Sequence, residues 1–586
     1  MHSALAEVEK ERPADLPGAR DGRLRGWLRR QSKGTLYLLV FASVVLLSLV
    51  PVLLLLINTF QLGTIGQPAG WGLDTWVKGL TDPSVPDALW TTLTLGVTRE
   101  AIAMVVGVLL AWLIARTNLP GRNYFEVAFW ISVFIPSLTV TLAWIFLLDD
   151  FNGIVNQWIE ALPFVEESPF NVYSWWGIVW VHLMSASISI KVMLLVPAFR
   201  AIDSSLDEAA RASGDTVWGS LRRITLPILM PTFLMVLVLS MLRALEAFEV
   251  EYILGAPQHI EVVSSIIYRL IQRSAPPEFG IGTVVSMTSL LIAVPFIIFQ
   301  QRYGAKHSVS TVNGKFKARP IQLGRWKWVA FAFVSAVVAL LTVIPVAALV
   351  IGSFQRFFGV FTIPEPWTLD NWTTILGSPF FSISFQNTIV LGVATALVAV
   401  VWFSTVAYMI TRKRRRGSGA LDFFAWLPSV LPGVVLGLGY LWLFLSVPFL
   451  RAIYGTVWIL VLVCALGSMT LSVQYLKNGF RQLGHEMEEA SRASGAGQIA
   501  TLRHVILPLL SPALVVAGVL AFSSAVRATS HVALLSTSQN MPLSILQLNQ
   551  TSEGGYAGAA VVGVVIFAIT LVAAILMRIF GYRRLQ

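Results

Sequence analysis

Glu208-Ala209-Ala210-Arg211-Ala212-Ser213-Gly214 and Glu489-Ala490-Ser491-Arg492-Ala493-Ser494-Gly495 are the two stretches on which the reading of this chain turns. Each follows a Phe-Arg pair, Phe199-Arg200 and Phe480-Arg481, and precedes a Leu-Pro pair, Leu226-Pro227 and Leu507-Pro508, with Pro231 and Pro512 beyond. All of these pairs share one offset, 281 residues, as from 208 to 489. Nearer the N terminus, Thr92, Gly96 and Pro136 match Thr388, Gly392 and Pro432 at an offset of 296. The difference of 15 is taken up by a longer loop after the third apolar run of the first half. The chain therefore reads as two homologous halves, an internal repeat that governs the whole architecture.

The medium around those halves follows from composition. Of 586 residues 56% are hydrophobic and 12% charged, against about 25% charged in an ordinary soluble domain. So few charges cannot cover a soluble surface, which excludes a cytosolic enzyme. The first apolar run, Thr35 to Ile57, carries no charge over 23 residues. At 1.5 Å per residue it reaches about 35 Å, enough to cross a hydrocarbon core of about 30 Å. It is too long for a signal peptide and begins after a 34-residue polar tail, so it reads as a retained span. Further spans fall near 90–115, 124–148, 175–199, 232–255 and 279–300, then 328–352, 387–410, 420–446, 456–476, 513–535 and 558–580. The runs are continuous and lack a period of two, so they predict helices and not barrel strands. The fold class is thus an all-α polytopic membrane protein of twelve transmembrane helices, two six-helix halves in parallel pseudo-twofold symmetry. The expected boundaries are a basic tail 1–34, a first half 35–300 with its repeated loop at 200–231, a linker 301–327 and a second half 328–586 with its loop at 481–512.

Charge placement predicts orientation. The net charge is +11, a balance that in a soluble chain would suggest nucleic acid. Here eight Lys or Arg precede Thr35, seven lie in 301–327 and five run consecutively from Arg412 to Arg416. The loop 149–174 carries Asp149, Asp150, Glu160, Glu166 and Glu167 and no basic residue. The positive-inside rule puts both termini and the repeated loops in the cytoplasm, with the basic clusters as anchors on membrane lipid and not a nucleic-acid surface. The tail, with mixed charge and Pro13 and Pro17, reads as poorly ordered. A single cysteine, Cys464, leaves no disulfide framework.

The repeated loop has a readable form. An alanine-rich segment around Glu208 makes a short, small-faced helix, Gly214 permits a sharp turn, and a second amphipathic stretch runs to Leu226-Pro227. One copy would read equally well as an amphipathic loop on the bilayer; two at matched spacing favour a surface shaped to enter a groove on another protein. Glu208-Ala209-Ala210, Gly214 and the following Ile224-Thr225-Leu226-Pro227 resemble the EAA signature of permeases of binding-protein-dependent (type I) ABC importers. In the second copy Ser491 replaces the second alanine and Val505 the isoleucine, while Glu489, Ala490, Gly495 and Leu507-Pro508 hold. The fused two-half form resembles ferric-iron, thiamine, polyamine and phosphonate permeases.

The resemblance implies that each EAA loop docks into an ATPase subunit, so that two copies of an ATP-binding subunit serve one chain. It implies that a periplasmic or lipid-anchored binding protein delivers cargo to the outer mouth, in the inner membrane of a bacterium. ATP and Mg would then lie on the partner subunits, with no cofactor or catalytic group in this chain. In agreement, the only Gly-Lys, Gly314-Lys315, precedes Phe316 and does not form a phosphate loop.

Ionisable residues inside spans are costly and so mark candidate sites. The first half carries Arg99 and Glu100 in span two, His182 and Lys191 in span four, and Arg243, Glu246, Glu249 and Glu251 in span five. At the matching second-half positions Glu246 becomes Arg527, Glu249 becomes Ser530 and Glu251 becomes Val532. Glu246 and Glu249 are expected to share a helical face, with Arg243 a turn earlier. Arg99, Glu100, Glu246, Glu249, Arg527 and His531 are the candidate translocation-path residues. Two readings are open: an acidic lining that attracts a cation, or mutual neutralisation of Glu246 by Arg243 and of Glu100 by Arg99, with Glu251 solvated at the interface. Lys191 is expected to snorkel to the cytoplasmic face and His182 to pack rather than bind metal, for want of a second ligand at metal spacing.

Trp175, Trp176 and Trp180 read as an outer aromatic belt and Trp326 and Trp328 as an inner one. The loops 61–88 and 354–385, with Trp71, Trp76, Trp367 and Trp372, are candidate surfaces for the binding protein. Ferric iron is the cargo these features favour, with polyamine, thiamine or a phosphonate or organophosphate as alternatives. A secondary transporter is the competing class, but it leaves the paired loops unexplained.

Overall fold

The computed structural model describes residues 18–64, 67–165, 167–306, 320–412 and 417–582. Gly314-Lys315, Glu166, the middle of the linker (307–319) and the run from Lys413 to Arg416 lie outside the described residues. Among those described, ten helices are long and apolar enough to cross a membrane, and two bent helix pairs bring the number to twelve when each pair counts as one span. A two-stranded hairpin, Gln61–Thr64 with Gln67–Trp71, is the only sheet among them.

The first span, Tyr37–Asn58, is the end of a helix that begins at Gly18, so residues 18–34 extend that helix where low order was expected. The bent pairs are spans three and nine, Arg122–Ser132 with Ser137–Leu148 and Ser418–Val430 with Gly433–Ser446, turning by 100° and 107°. Pro136 and Pro432, two of the matched repeat positions, sit at these corners with ψ of 142°, directly before the second limb. Proline has no N–H to lose and its fixed φ suits the first turn of a helix, which explains why both corners carry it.

The halves interlock. Span one packs along span nine, and span seven, Trp326–Ser353, along the outer limb of span three. The Tyr440 hydroxyl donates to the Leu47 carbonyl at 2.6 Å and the Trp442 indole to Thr283 at 3.1 Å, fixing second-half side chains to first-half helices. Matched glycines set the close approaches inside each half. A Cβ on Gly96 would lie 3.2 Å from Ala244, and one on Gly392 would lie 2.7 Å from Phe522, so span five meets span two, and span eleven span eight, at bare backbone.

Spans five and eleven differ from expectation. Their helices run from Val217 to Ala244 and from Ile499 to Val526, starting inside the repeated loops and stopping before Glu246 and Arg527. In the first half the chain breaks at 245–248, winds as helix again over 249–258 and reaches a short helix at Val263–Tyr268; in the second half it takes an irregular course through 527–542 before the helix Leu543–Ser552. Leu245, Glu246 and Ala247 are adequate helix formers, so tertiary contacts and not propensity break the helix. Irregular backbone at membrane depth is tolerated where protein buries it or where it lines a cavity.

Candidate functional site

The EAA loops are two copies of one helix–turn–helix on one face of the molecule. Helix Ser204–Ala212 turns at Gly214 into the helix that starts at Val217; helix His485–Ala493 turns at Gly495 into the one that starts at Gln498. Both glycines have positive φ, +86° and +83°. The amide of Asp215 donates to the Ala210 carbonyl at 3.0 Å and that of Ala496 to the Ser491 carbonyl at 3.1 Å, the six-to-one bond of a glycine-terminated helix. Space around the two glycines is open, so left-handed backbone, and not close packing within this chain, is what requires glycine there.

The loops present the same side chains. Glu208, Ala209, Glu489 and Ala490 are exposed, while Ala210 is buried. Leu206 and Met487 are exposed at equivalent positions, and so are Trp218 and Ile499. Leu226-Pro227 and Leu507-Pro508 lie within the helices of spans five and eleven, each just after a wider helical turn, Leu221–Thr225 or Leu502–Ile506. Each loop thus carries an acidic residue between two exposed apolar ones, a pattern suited to docking.

Within the membrane portion the candidate path residues separate into two groups. Arg99 and Glu100 are buried in the first half. Lys191 lies on Glu100, the Arg99 Nε is 3.6 Å from Glu100 and its Nη1 3.3 Å from Glu251, and His182 Nε2 is 2.7 Å from the same Glu251 oxygen. Two expectations are corrected here. Lys191 is 1% exposed and pairs inward instead of snorkelling, and Glu251 is 1% exposed instead of solvated. The physical reason is the partner: a buried amine with a carboxylate in contact needs no route to water. Gly107 makes the room, since a Cβ there would fall 2.5 Å from that of Lys191.

The second group sits around the helix break at 245–248 and in the irregular segment 527–542. Glu246 and Glu249 are half-buried and no longer share one continuous helix, because the backbone is non-helical at Ala247 and Phe248. Arg243 is exposed and flanks Glu246; Glu249 has the hydroxyls of Ser137 and Thr529 and the Arg527 guanidinium as neighbours. Arg527 reaches across the halves to the Val133 carbonyl at the corner of span three and lies 6.0 Å from the Phe134 ring. His531 is embedded among glycines: a Cβ on Gly467 would be 2.6 Å from its Nε2 and one on Gly433 2.9 Å from its Nδ1. Two cations and two carboxylates, Arg243, Arg527, Glu246 and Glu249, therefore meet near the junction of the halves. Among the described residues no three His, Cys, Asp or Glu converge as a metal-binding group.

The far face repeats as well, which the sequence reading missed. Gln61 pairs with Trp71 and Gln355 with Trp367, and the helices Asp74–Thr81 and Asp370–Gly377 follow each pairing. Trp71 and Trp367 are exposed at equivalent places. The offset of 296 relates the two tryptophans and the two helices, so extending the repeat match upstream of Thr92 would have found them. Of the belt tryptophans, Trp176, Trp326 and Trp328 are exposed, whereas Trp180 packs edge-on against Trp144 at 5.2 Å.

Twelve spans in two interlocked repeats, with paired loops on one face and paired tryptophans on the other, define a two-fold membrane transport domain. The chain belongs to the family of binding-protein-dependent transport system inner membrane components, which matches residues 103–306 and 403–586. It is the permease of a type I ABC importer in fused two-half form. It is 25% identical to the probable ABC transporter permease protein y4fN of Sinorhizobium fredii, over 78% of this chain and 80% of that one. It is 23% identical to the ferric transport system permease protein FbpB of Actinobacillus pleuropneumoniae, over 83% of this chain and 69% of that one. The sulfate transport system permease protein CysT of Escherichia coli is 28% identical over 39% of this chain and 80% of its own length. A bacterial ABC transporter involved in import of the polysaccharide alginate is similar at 21% identity over 48% of this chain and 99% of that chain, with a TM-score of 0.41.

Proposed function

We propose that this permease takes cargo from an external binding protein at the face carrying Trp71 and Trp367, and couples to two ATPase subunits through its EAA loops on the cytoplasmic face. The observation that carries this reading is the duplication of an exposed acidic-apolar helix–turn–helix, Leu206, Glu208 and Trp218 against Met487, Glu489 and Ile499, each turned at a left-handed glycine. Ala209, Ala210 and Ala490 keep the docking helices small-faced, and Pro227 and Pro508 lie in the helices that carry motion into the membrane. The basic clusters support an inner-membrane orientation with both termini cytoplasmic.

For cargo, ferric iron is the reading best supported, by relatives named as ferric transport permeases that span most of both chains and by Glu246 and Glu249 at the half-to-half junction. An oxyanion is the second reading, favoured by Arg243 and Arg527 at the same junction. Labelled uptake into cells with and without this gene decides between them, using ferric iron, spermidine, thiamine, an aminophosphonate and sulfate. Loss of iron uptake alone supports the first reading, and intact iron uptake with loss of an anion overturns it.

A further inference from the structure

Span two, Ser84–Arg116, and its counterpart span eight, Pro379–Arg412, carry the same two attachments at their two ends. Near the far-face end, Thr92 accepts a 2.9 Å hydrogen bond from the Val263 amide, and Thr388 a 2.8 Å bond from the Leu543 amide. Val263 and Leu543 are the first residues of the short helices that follow the interrupted segments bearing Glu246 and Glu249, or Arg527 and His531. Each threonine therefore holds the orphan amide at the start of the element leading away from the candidate path.

At the opposite end, Arg116 donates to the Ile202 carbonyl at 2.8 Å. Arg412 donates to the Phe480 carbonyl at 2.9 Å and to the Leu483 carbonyl. Ile202 and Leu483 are equivalent residues under the 281 offset and stand between spans four and ten and the EAA helices. The Arg412 Nε also lies 3.2 Å from Glu488, the residue before the EAA glutamate. Both guanidinium groups are buried, 4% exposed for Arg116 and 5% for the Arg412 side chain. A buried guanidinium on carbonyls at a helix C terminus forms charge-assisted bonds and complements the helix dipole, so these contacts are strong for their size. Arg116 follows Thr92 by the same number of residues as Arg412 follows Thr388, placing the contacts about 36 Å apart along one helix.

We propose that spans two and eight are struts joining each EAA loop to the path segment of its own half, with Arg116 and Arg412 as the positioning residues at the loop end. The proposal rests on the importer reading above and adds how motion at a docked loop reaches the path. A helix held at both ends by specific bonds transmits displacement; one released at the loop end leaves the loop to move alone. The signal missed in the sequence is that Thr92 and Arg116 match Thr388 and Arg412 at a single offset, although both arginines sit where a topology anchor is the ordinary reading.

The test uses the full chain assembled with its ATPase and binding-protein partners in nanodiscs. Spin labels at Trp90→Cys and Gln386→Cys report the far ends of the two struts; both positions are exposed, and Cys464, the only native cysteine, is buried. Mg-ATP with vanadate is the probe, so the cargo need not be known. The labelled parent chain is expected to capture the ATPase and to shift its label distance on trapping; no ATPase capture would overturn the importer reading itself. With that shift in hand, Arg116→Gln with Arg412→Gln is expected to keep ATPase capture and hydrolysis and to lose the shift, and Arg→Lys at both sites to restore part of it. A full shift in the double glutamine variant overturns the strut. Should that variant fail to assemble, Thr92→Val with Thr388→Val tests the other end: loss of the shift with hydrolysis intact supports the strut, and a full shift overturns it.

Discussion

Lys191 lies in a span flanked by apolar residues, and its fate depends on one carboxylate. Glu100 supplies that partner, and the Arg99–Glu251–His182 contacts complete a buried network confined to the first half. Removing one member of a buried ion pair strands the other, a cost of about 3–5 kcal/mol. Lys191→Met is therefore expected to lower the unfolding temperature of the detergent-solubilised protein sharply, and Lys191→Met with Glu100→Gln to recover most of the loss. At Gly214 and Gly495 the cost is local: an L-residue in left-handed backbone loses about 1–2 kcal/mol, and both loops are exposed. Valine at both sites is expected to abolish ATP-coupled uptake while circular dichroism and thermal unfolding stay close to the parent; unchanged coupled uptake would sink the docking role.

At the scale of elements, glycine contacts and threonine caps decide how helices meet. Gly107 lets span two approach span four at the stem of Lys191. Gly107→Leu is expected to cost about 1–3 kcal/mol by overpacking, seen as a lower unfolding temperature that Glu100 and Lys191 substitutions do not rescue. Thr92→Val removes the acceptor for the Val263 amide, and an orphaned buried donor costs about 1–3 kcal/mol. Hydrogen exchange is expected to quicken over residues 262–268 and to stay unchanged over 543–548, where Thr388 keeps the equivalent bond. Most spans were legible as elements because long uncharged runs have one stable state in lipid. The corners at Pro136 and Pro432 and the breaks at Leu245 and Arg527 were not, since a proline or a charge within an apolar run fits a straight helix, a kink or a stop equally well.

At the scale of the whole molecule, the repeat gives two loops on one face and, on the other, two units in which a Gln–Trp pairing precedes a short helix. Two loops on one chain predict two ATPase subunits per permease in the intact complex. Native mass spectrometry of the detergent-extracted assembly checks the number directly, and a stable complex with one would overturn the equivalence of the loops. The halves share their loops and their struts yet differ at the junction, where Glu246 neighbours Arg243 and Glu249 neighbours Arg527, and where the Lys191–Glu100 network has no matching copy. On the proposed reading, the parts that would meet two like partners are duplicated, while residues near the proposed path have diverged.

Composition, the spacing of charges and the matched motifs by themselves determined a twelve-span, two-half permease with paired EAA loops. These are properties of local pattern and of the lipid solvent, which leaves few alternatives to a chain with so little charge. Only the tertiary structure decided which charges pair and which stand at the junction. Arg99 and Glu251 are far apart in sequence, and Arg527 finds its carbonyl in the other half. Such partnerships depend on distances across helices, set by glycine contacts, proline corners and the interlocking of the halves, none of which a linear pattern of hydrophobicity records.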